Sequence, residues 1–563
     1  MESAATAPKV RKQHGVHYTP DGLSRFLAFR LLDSLDGSEQ LSILDPACGD
    51  GQLLAAIAWE ADRLGYATPR LTGIDRDPEA IEGAREHLES LGLSDFDLRV
   101  EDFLETAAVQ SQLVLGETTA DPDANYDGVI SNPPYVRTQV MGSEMAQGLG
   151  ARFGLKGRVD LYHVFVVAMA RSLRAGGSMG LLCSNRFLTT QGGKSMREFL
   201  ASDFDLKEIW DLGDTRLFEA AVLPAIVIAE KDPQSDAASP CLFTRIYEDE
   251  NEADNPVEYE ILEALQDDIS GAIKSPTGTF IIERGILNMG SGSGWSLSSE
   301  SSDSWLKTVQ AHTFHLIEEL VKVRVGIKTT ADNVYIRPSW ESTDGGENPE
   351  SELIFKLLTH RVAAPWVASV PDESAGREVL YTHISEDGKR KAIDLDRFPR
   401  AAKYFETHRD QLEGRSYVIK AKRQWFEMWV PQQPELWSKP KIVWPDISER
   451  PRFFLDDTGA IVNGDLYWMP VEHLAPEQRS LILAVANSEF ALKFYDTSFG
   501  NRLYSGRRRF ITQYVKRLPL PRTEEADLSE IHVLVSALRN GDAPLDAEAR
   551  LNQIVWRLFG LAE

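Results

Sequence analysis

The chain has 563 residues, a formal charge of −26 and 42% hydrophobic residues, enough for two or three domains with cores of their own. No apolar run reaches the ~18 residues that a membrane span needs, and Met1–His14 is polar, without the apolar core of a signal peptide. Its three cysteines (Cys48, Cys183 and Cys241) are unclustered and lack ligand spacing, which argues against a disulfide framework or a zinc site and for a cytoplasmic setting.

In chain order, Ser42-Ile43-Leu44-Asp45 reads as an apolar strand. It runs into the glycine-bearing turn Pro46-Ala47-Cys48-Gly49-Asp50-Gly51 and then into a helix-like segment, Leu53–Ala61. Small residues let the backbone approach a ligand closely, and the start of the helix presents free N–H groups. The third glycine of the dinucleotide fingerprint is missing, and no Walker lysine follows. A second strand, Leu71–Ile74, ends in Asp75, an acid placed to accept hydrogen bonds from ribose hydroxyls. A third, Asp97–Val100, ends at Glu101-Asp102-Phe103, a carboxylate beside an aromatic. A fourth short buried strand ends at Val129 and Ile130, just before Asn132-Pro133-Pro134-Tyr135, where two prolines forbid either helix or ladder.

Strand ends thus fall at Asp45, Asp75, Asp102 and Asn132, 27 to 30 residues apart, with helical segments between them (Gln52–Leu64, Pro78–Leu91). This alternation predicts a parallel, doubly wound sheet with one ligand edge. At that edge Asn132 offers a side-chain carbonyl, Pro133 a main-chain carbonyl and Tyr135 a flat ring. Two acceptors beside a stacking face suit a planar group with an exocyclic amine, such as adenine; a purely structural stop is the alternative for the tetrapeptide alone. Three acids on one edge would repel a phosphate. A phosphate-free nucleoside with a cationic portion is therefore expected, and S-adenosyl-L-methionine fits.

Taken together, these residues resemble the N6-adenine DNA methyltransferases of restriction–modification systems, in the gamma order of cofactor motifs, catalytic Asn-Pro-Pro-Tyr and then recognition domain. The resemblance implies an S-adenosylmethionine-dependent catalytic centre of Asn132, Pro133, Pro134 and Tyr135. Phe218, in Arg216–Ile226, would help clamp a flipped base. His17-Tyr18-Thr19-Pro20 would close over the methionine end of the cofactor, and Ala47, Gly49 and Gly51 would form its turn. Asp45 would hold the amino group, Asp75 the ribose hydroxyls, and Asp102 with Phe103 the adenine ring. Asp160-Leu161-Tyr162-His163-Val164-Phe165 matches the next motif, with Phe165 packing on the cofactor adenine. Asp50 departs from the pattern, since many relatives carry a small residue there. Gly177–Cys183, Leu206–Asp211 and Ala225–Glu230 would be strands five to seven, the last pair antiparallel.

The expected fold is α/β, a Rossmann-like methyltransferase sheet followed by an α+β specificity domain. The expected limits are a catalytic domain over 1–232, a connector over 233–310 and a target-recognition domain over 311–563. Net charge opposes DNA binding, but Lys403–Arg522 carries 19 Lys/Arg against 14 Asp/Glu. Within it Arg502, Arg507, Arg508 and Arg509 would neutralise phosphates, the alternative being a solvated basic turn over core aromatics. Gly326–Tyr335, Arg423–Glu427 and Lys439–Ile447 are similar to pieces of the family's specificity domain, with Thr330 in place of a usual glycine. Pro371-Asp372 and Pro445-Asp446 lack the acidic-x-Lys of a nuclease, so no fused cutter is expected. The implied partner is duplex DNA, with a separately encoded restriction endonuclease or defence protein. Methylation of RNA adenine or of a protein glutamine, and a non-catalytic DNA-binding subunit, are the rival readings.

Overall fold

The computed structural model describes residues 19–107, 126–135, 143–155, 160–217, 223–231, 240–249, 255–289, 294–340, 348–369, 376–500 and 506–562. Tyr18, Phe218 and Arg502 lie outside the described residues. The four short strands predicted from the N-terminal sequence are β1 (Ser42–Asp45), β2 (Arg70–Asp75), β3 (Phe96–Val100) and β4 (Tyr126–Ser131). They pair in parallel, in the order β3-β2-β1-β4. The order reverses between β1 and β4, so the carboxyl ends carrying Asp45 and Asn132 flank the switch point where open α/β sheets bind ligands.

Alternate residues face opposite sides of the strands. Ile43, Ile130 and Leu182 enter one apolar layer with helices α1 (Asp21–Asp33) and α2 (Gln52–Leu64). Leu44, Val129 and Leu181 enter the other, with α3 (Leu161–Ser172). Tyr162 to Ala170 of α3 are buried without interruption, as expected of a helix that is apolar all round. Gly51 stands at φ +78°, and a Cβ there would come 3.1 Å from the Ala84 Cβ. The turn into α2 therefore needs glycine for both conformation and space.

Strand β5 (Leu173–Ser184) pairs in parallel with β4, and β7 (Pro224–Glu230) lies antiparallel between β5 and β6 (Asp205–Asp211). The expected seven strands and the antiparallel reversal are all present. The expected connector is not a linker where it is described. Strand β8 (Leu242–Glu248) adds parallel to β6, and β11 (Gly278–Asn288) adds antiparallel to β8. Short β9 (Val257–Glu258), β10 (Gly271–Ser275) and β12 (Ser296–Ser298) complete a 12-stranded sheet. The sheet belongs to a first unit of residues 1–300 with 502–506, and the second unit takes 301–501 and 507–563. The polar, serine-rich composition of 288–304 obscured the strand pairing around it.

The second unit is α+β. One four-stranded sheet joins Arg324–Val325, Leu466–Pro470, Lys441–Pro445 and Phe454–Asp456; another joins Ile336–Arg337, Glu378–Leu380, Ile354–Leu358 and Ile461–Val462. The helices Pro476–Asn487, Glu489–Phe499, Glu525–Asn540 and Ala547–Leu558 pack a separate apolar layer, where Phe490 and Phe559 stack face to face at 3.9 Å. Trp444 and Trp468 are fully buried, so these large rings serve the core, the usual fate of such side chains. No helix among the described residues is long and apolar enough to cross a membrane.

Candidate active site

Asn132 follows directly on β4, and its amide is held from two sides. Its Nδ2 donates to Thr19 Oγ1 at 3.0 Å, and its Oδ1 accepts from the Tyr135 hydroxyl at 2.5 Å. The Thr19 bond ties the segment before α1 to the Asn-Pro-Pro-Tyr turn and fixes which amide atom faces which way. Pro133 is buried and Pro134 half-buried. The Tyr135 ring meets Tyr162 of α3 edge-on at 6.3 Å, and burial holds its phenol well above the usual value. It is thus a neutral hydrogen-bond donor.

One strand away, Asp45 is 1% exposed. Its Oδ1 accepts from Ala47 N and Ser131 Oγ, each at 3.1 Å, while Oδ2 is buried without a partner. Burial pushes this carboxyl from 3.8 up to about 7, opposed by the Ala47 and Ser131 bonds and reinforced by the charges of Asp75 and Asp50. Ser131 was not anticipated as a site residue, although a polar residue closing an apolar strand next to Asn132 was a visible signal.

The turn after β1 spends its N–H groups internally. Ala47 N donates to Asp45, Cys48 N to the Ile74 carbonyl at 3.0 Å and Gly49 N to Asp75 Oδ2 at 3.0 Å. Asp75 Oδ1 also accepts from Asp77 N at 2.9 Å. With its donors turned inward and three carboxylates beside it, the turn is unsuited to phosphate and suited to a cation. Asp50 accepts from Gln52 N at 3.3 Å, and its carboxyl is raised by burial first of all. The departure at this position is thus a local helix-start contact. Asp102 Oδ1 accepts from Leu104 N at 3.0 Å and Glu105 N at 3.3 Å. The neighbouring Phe103 and Phe165 rings stack on each other at 6.0 Å. Pro20 is exposed at the start of α1. Burial pushes the thiols of Cys48 and Cys183 up, away from thiolate character.

The arginines of the second unit are placed differently from expectation. Arg508 binds Asp496 through two bonds of 2.8 Å and the Glu449 carbonyl at 3.0 Å. Arg509 forms a two-pronged pair with Asp446. Both are committed to protein carboxylates, and the strand Arg508–Arg509 pairs with Ile447–Ser448. Arg507 is mostly exposed and only 3.9 Å from Glu449 at its nearest. Sequence composition registers a basic run but not the acids that fold back onto it.

Residues 70–218 match the model of the Eco57I restriction-modification methylase family, and residues 387–520 that of the TaqI-like C-terminal specificity domain. The Type II methyltransferase M.BanIII of Aneurinibacillus aneurinilyticus is 37% identical over 98% of this chain and 98% of its own length. The chain belongs to the Type II restriction-modification DNA methyltransferases. M.BstVI of Geobacillus stearothermophilus, also a Type II methyltransferase, is 25% identical over 91% of this chain and 90% of its own. The nuclease-deletion mutant of the Type ISP restriction-modification enzyme LlaGI shares the fold, with TM-score 0.53 and 10% identity over 94% of this chain and 55% of that one. The cofactor of this Type II methyltransferase is S-adenosyl-L-methionine. Its edge residues fit that molecule, since the partnerless, buried Asp45 Oδ2 asks for a cationic donor.

Proposed function

We propose that this methyltransferase transfers a methyl group to N6 of an adenine flipped out of duplex DNA, and that the second unit selects the target. The observation that carries the reading is the two-sided restraint on the Asn132 amide, whose carbonyl oxygen stands beside the Tyr135 hydroxyl at the end of β4. When bound, S-adenosylmethionine supplies an electrophilic methyl group on a sulfonium. Asp45 would accept its ammonium, Asp75 its ribose hydroxyls, and Asp102 with Phe103 and Phe165 its adenine, and Thr19, Pro20, Ala47, Gly49 and Gly51 would line its site.

An adenine in the helix is stacked, and extruding it costs a few kcal/mol. Tyr135, together with Phe218, offsets part of that through stacking worth about 1–3 kcal/mol per base. The N6 lone pair is delocalised into the ring and weakly nucleophilic. Hydrogen bonds from N6–H to Asn132 Oδ1 and the Pro133 carbonyl draw the nitrogen toward a pyramidal form whose lone pair can attack. The same acceptors stabilise the positive charge that develops on nitrogen, and they do so without reorganising. Holding both reactants supplies the rest. A separately encoded restriction endonuclease is the partner that such methylation would protect against.

Asn132→Ala tests the assignment. Single-turnover methyl transfer should fall by more than about 100-fold, the scale of losing one preorganised group at a developing charge, with cofactor affinity near wild type. Turnover within tenfold of wild type would reject the role.

A further inference from the structure

Besides the acid-free run that holds Arg507–Arg509, the second unit has another stretch with cations and no acid. From Gly414 to Phe426 there are four cations (Arg415, Lys420, Lys422 and Arg423) and no acid. Two of the four serve the fold. Arg415 is buried and donates to the Thr329 carbonyl at 2.9 Å and the Trp425 carbonyl at 2.6 Å. Arg423 donates to the Met428 and Trp429 carbonyls and lies over the Trp429 ring, which the Tyr417 ring also meets edge-on at 5.0 Å. The other two, Lys420 and Lys422, are exposed and have no carboxylate partner among the described residues. The acids nearest along the chain are already engaged: Glu413 with Arg409 and Glu427 with His383. Beside the two lysines, Tyr417 and Ile419 are 40% and 45% exposed.

This turn is held by one buried side chain and by its own backbone hydrogen bonds. Val418 is fully buried beneath it. The short helix Ser416–Lys420 closes with Lys422 N donating to the Ile419 carbonyl and Arg423 N to the Val418 carbonyl, the paired bonds of a Schellman stop. The residue at the left-handed position of such a stop is usually glycine, yet here it is Lys422 at φ +58°. Lys422 thus holds a backbone conformation that glycine adopts at less cost. Apolar groups flanked by two unpaired ammonium groups, on an anchored turn of an otherwise acidic chain, match a nucleic-acid groove and the phosphates on its rims.

We infer that the Tyr417–Lys422 turn is a docking surface for the target duplex, with Lys420 and Lys422 on backbone phosphates. The inference rests on the proposed action on duplex DNA and gives it a contact surface distinct from the Arg507–Arg509 run. The test is the full-length K420Q/K422G variant, with affinity for a duplex carrying the mapped target adenine measured against salt. Glycine suits the left-handed position, so melting temperature should hold or rise. Affinity should fall about tenfold or more, and the slope of log affinity against log salt should become shallower by nearly two, at about 0.9 per phosphate contact. Cofactor binding should not change. A wild-type slope in the variant, with wild-type protein methylating that duplex, would overturn the docking surface and leave the proposed function standing. A wild-type protein that neither binds nor methylates any duplex would overturn both. A fall in melting temperature with the slope intact would make the lysines structural and reject the inference.

Discussion

At the scale of single residues, the site depends on Asp45, whose surroundings oppose its ordinary chemistry, and on Thr19, which anchors Asn132. Asp45 is a carboxyl that burial holds near pH 7. Below about pH 4 it is protonated in both folded and unfolded chains and costs nothing. As pH rises from 3.8 toward 7 the unfolded chain ionises first, so the unliganded fold loses stability across that window and no further above it. Asp45→Asn should therefore stabilise the unliganded protein by on the order of 4 kcal/mol above pH 7 and by little near pH 4, read as melting temperature against pH. Wild-type cofactor affinity should rise as pH approaches 7, and the same substitution should abolish that rise. A wild-type affinity that is flat with pH would remove Asp45 from the ammonium site. Thr19 acts through Asn132. Thr19→Val leaves the Asn132 amide without its 3.0 Å anchor and should lower methyl transfer about 10- to 100-fold, the usual cost of a loosened reactive geometry. Thr19→Ser should restore it, and failure of that rescue would show that the methyl group rather than the hydroxyl matters.

The elements of the catalytic sheet were legible because each combines an apolar run with a punctuating residue. The helix Gln52–Leu64 and strand β1 coincide with their sequence ranges, and β4 ends where expected, because Gly51 and the two prolines stop the chain mechanically. The extension through β8, β10 and β11 was not legible. Its strands mix polar and apolar residues without a clean alternation, as in Leu242–Glu248, and the serine- and acid-rich segments around them resemble a linker. Side-chain pairing was equally hidden. Nothing in Arg507-Arg508-Arg509 announces that Asp496 and Asp446, 12 and 63 residues away, claim two of the three. Arg508→Met should accordingly lower melting temperature and leave the salt dependence of DNA binding unchanged. Arg507→Gln should leave melting temperature unchanged and make the salt slope shallower by up to about one counterion. The reverse pattern would return Arg508 to the DNA surface. The buried Lys441–Asp456 pair, 2.6 Å apart across two adjacent strands, was also invisible. Breaking it with Lys441→Met should cost about 3–5 kcal/mol, whereas K441M/D456L should come close to wild type. Denaturant midpoints of the two variants decide the point.

On the scale of the whole molecule, a charge of −26 is reconciled with a DNA substrate by where charge is left uncompensated. The ligand edge of the first unit concentrates Asp45, Asp50 and Asp75 and favours a cation, whereas Lys420 and Lys422 of the second unit have no acidic partner among the described residues. If Tyr135 and Phe218 hold an extruded base, Tyr135→Ala should weaken binding to a paired target more than to one whose adenine is mismatched, because an unpaired base is cheaper to extrude. Equal losses on both duplexes would leave the ring a purely packing role. The central claim is that the exocyclic amine of adenine receives the methyl group. DNA incubated with wild-type or Asn132→Ala protein and S-adenosylmethionine, digested to nucleosides and resolved by mass spectrometry, tests it most directly. The account predicts N6-methyldeoxyadenosine from wild type and none above background from the variant; a methylated cytosine as the wild-type product would contradict it.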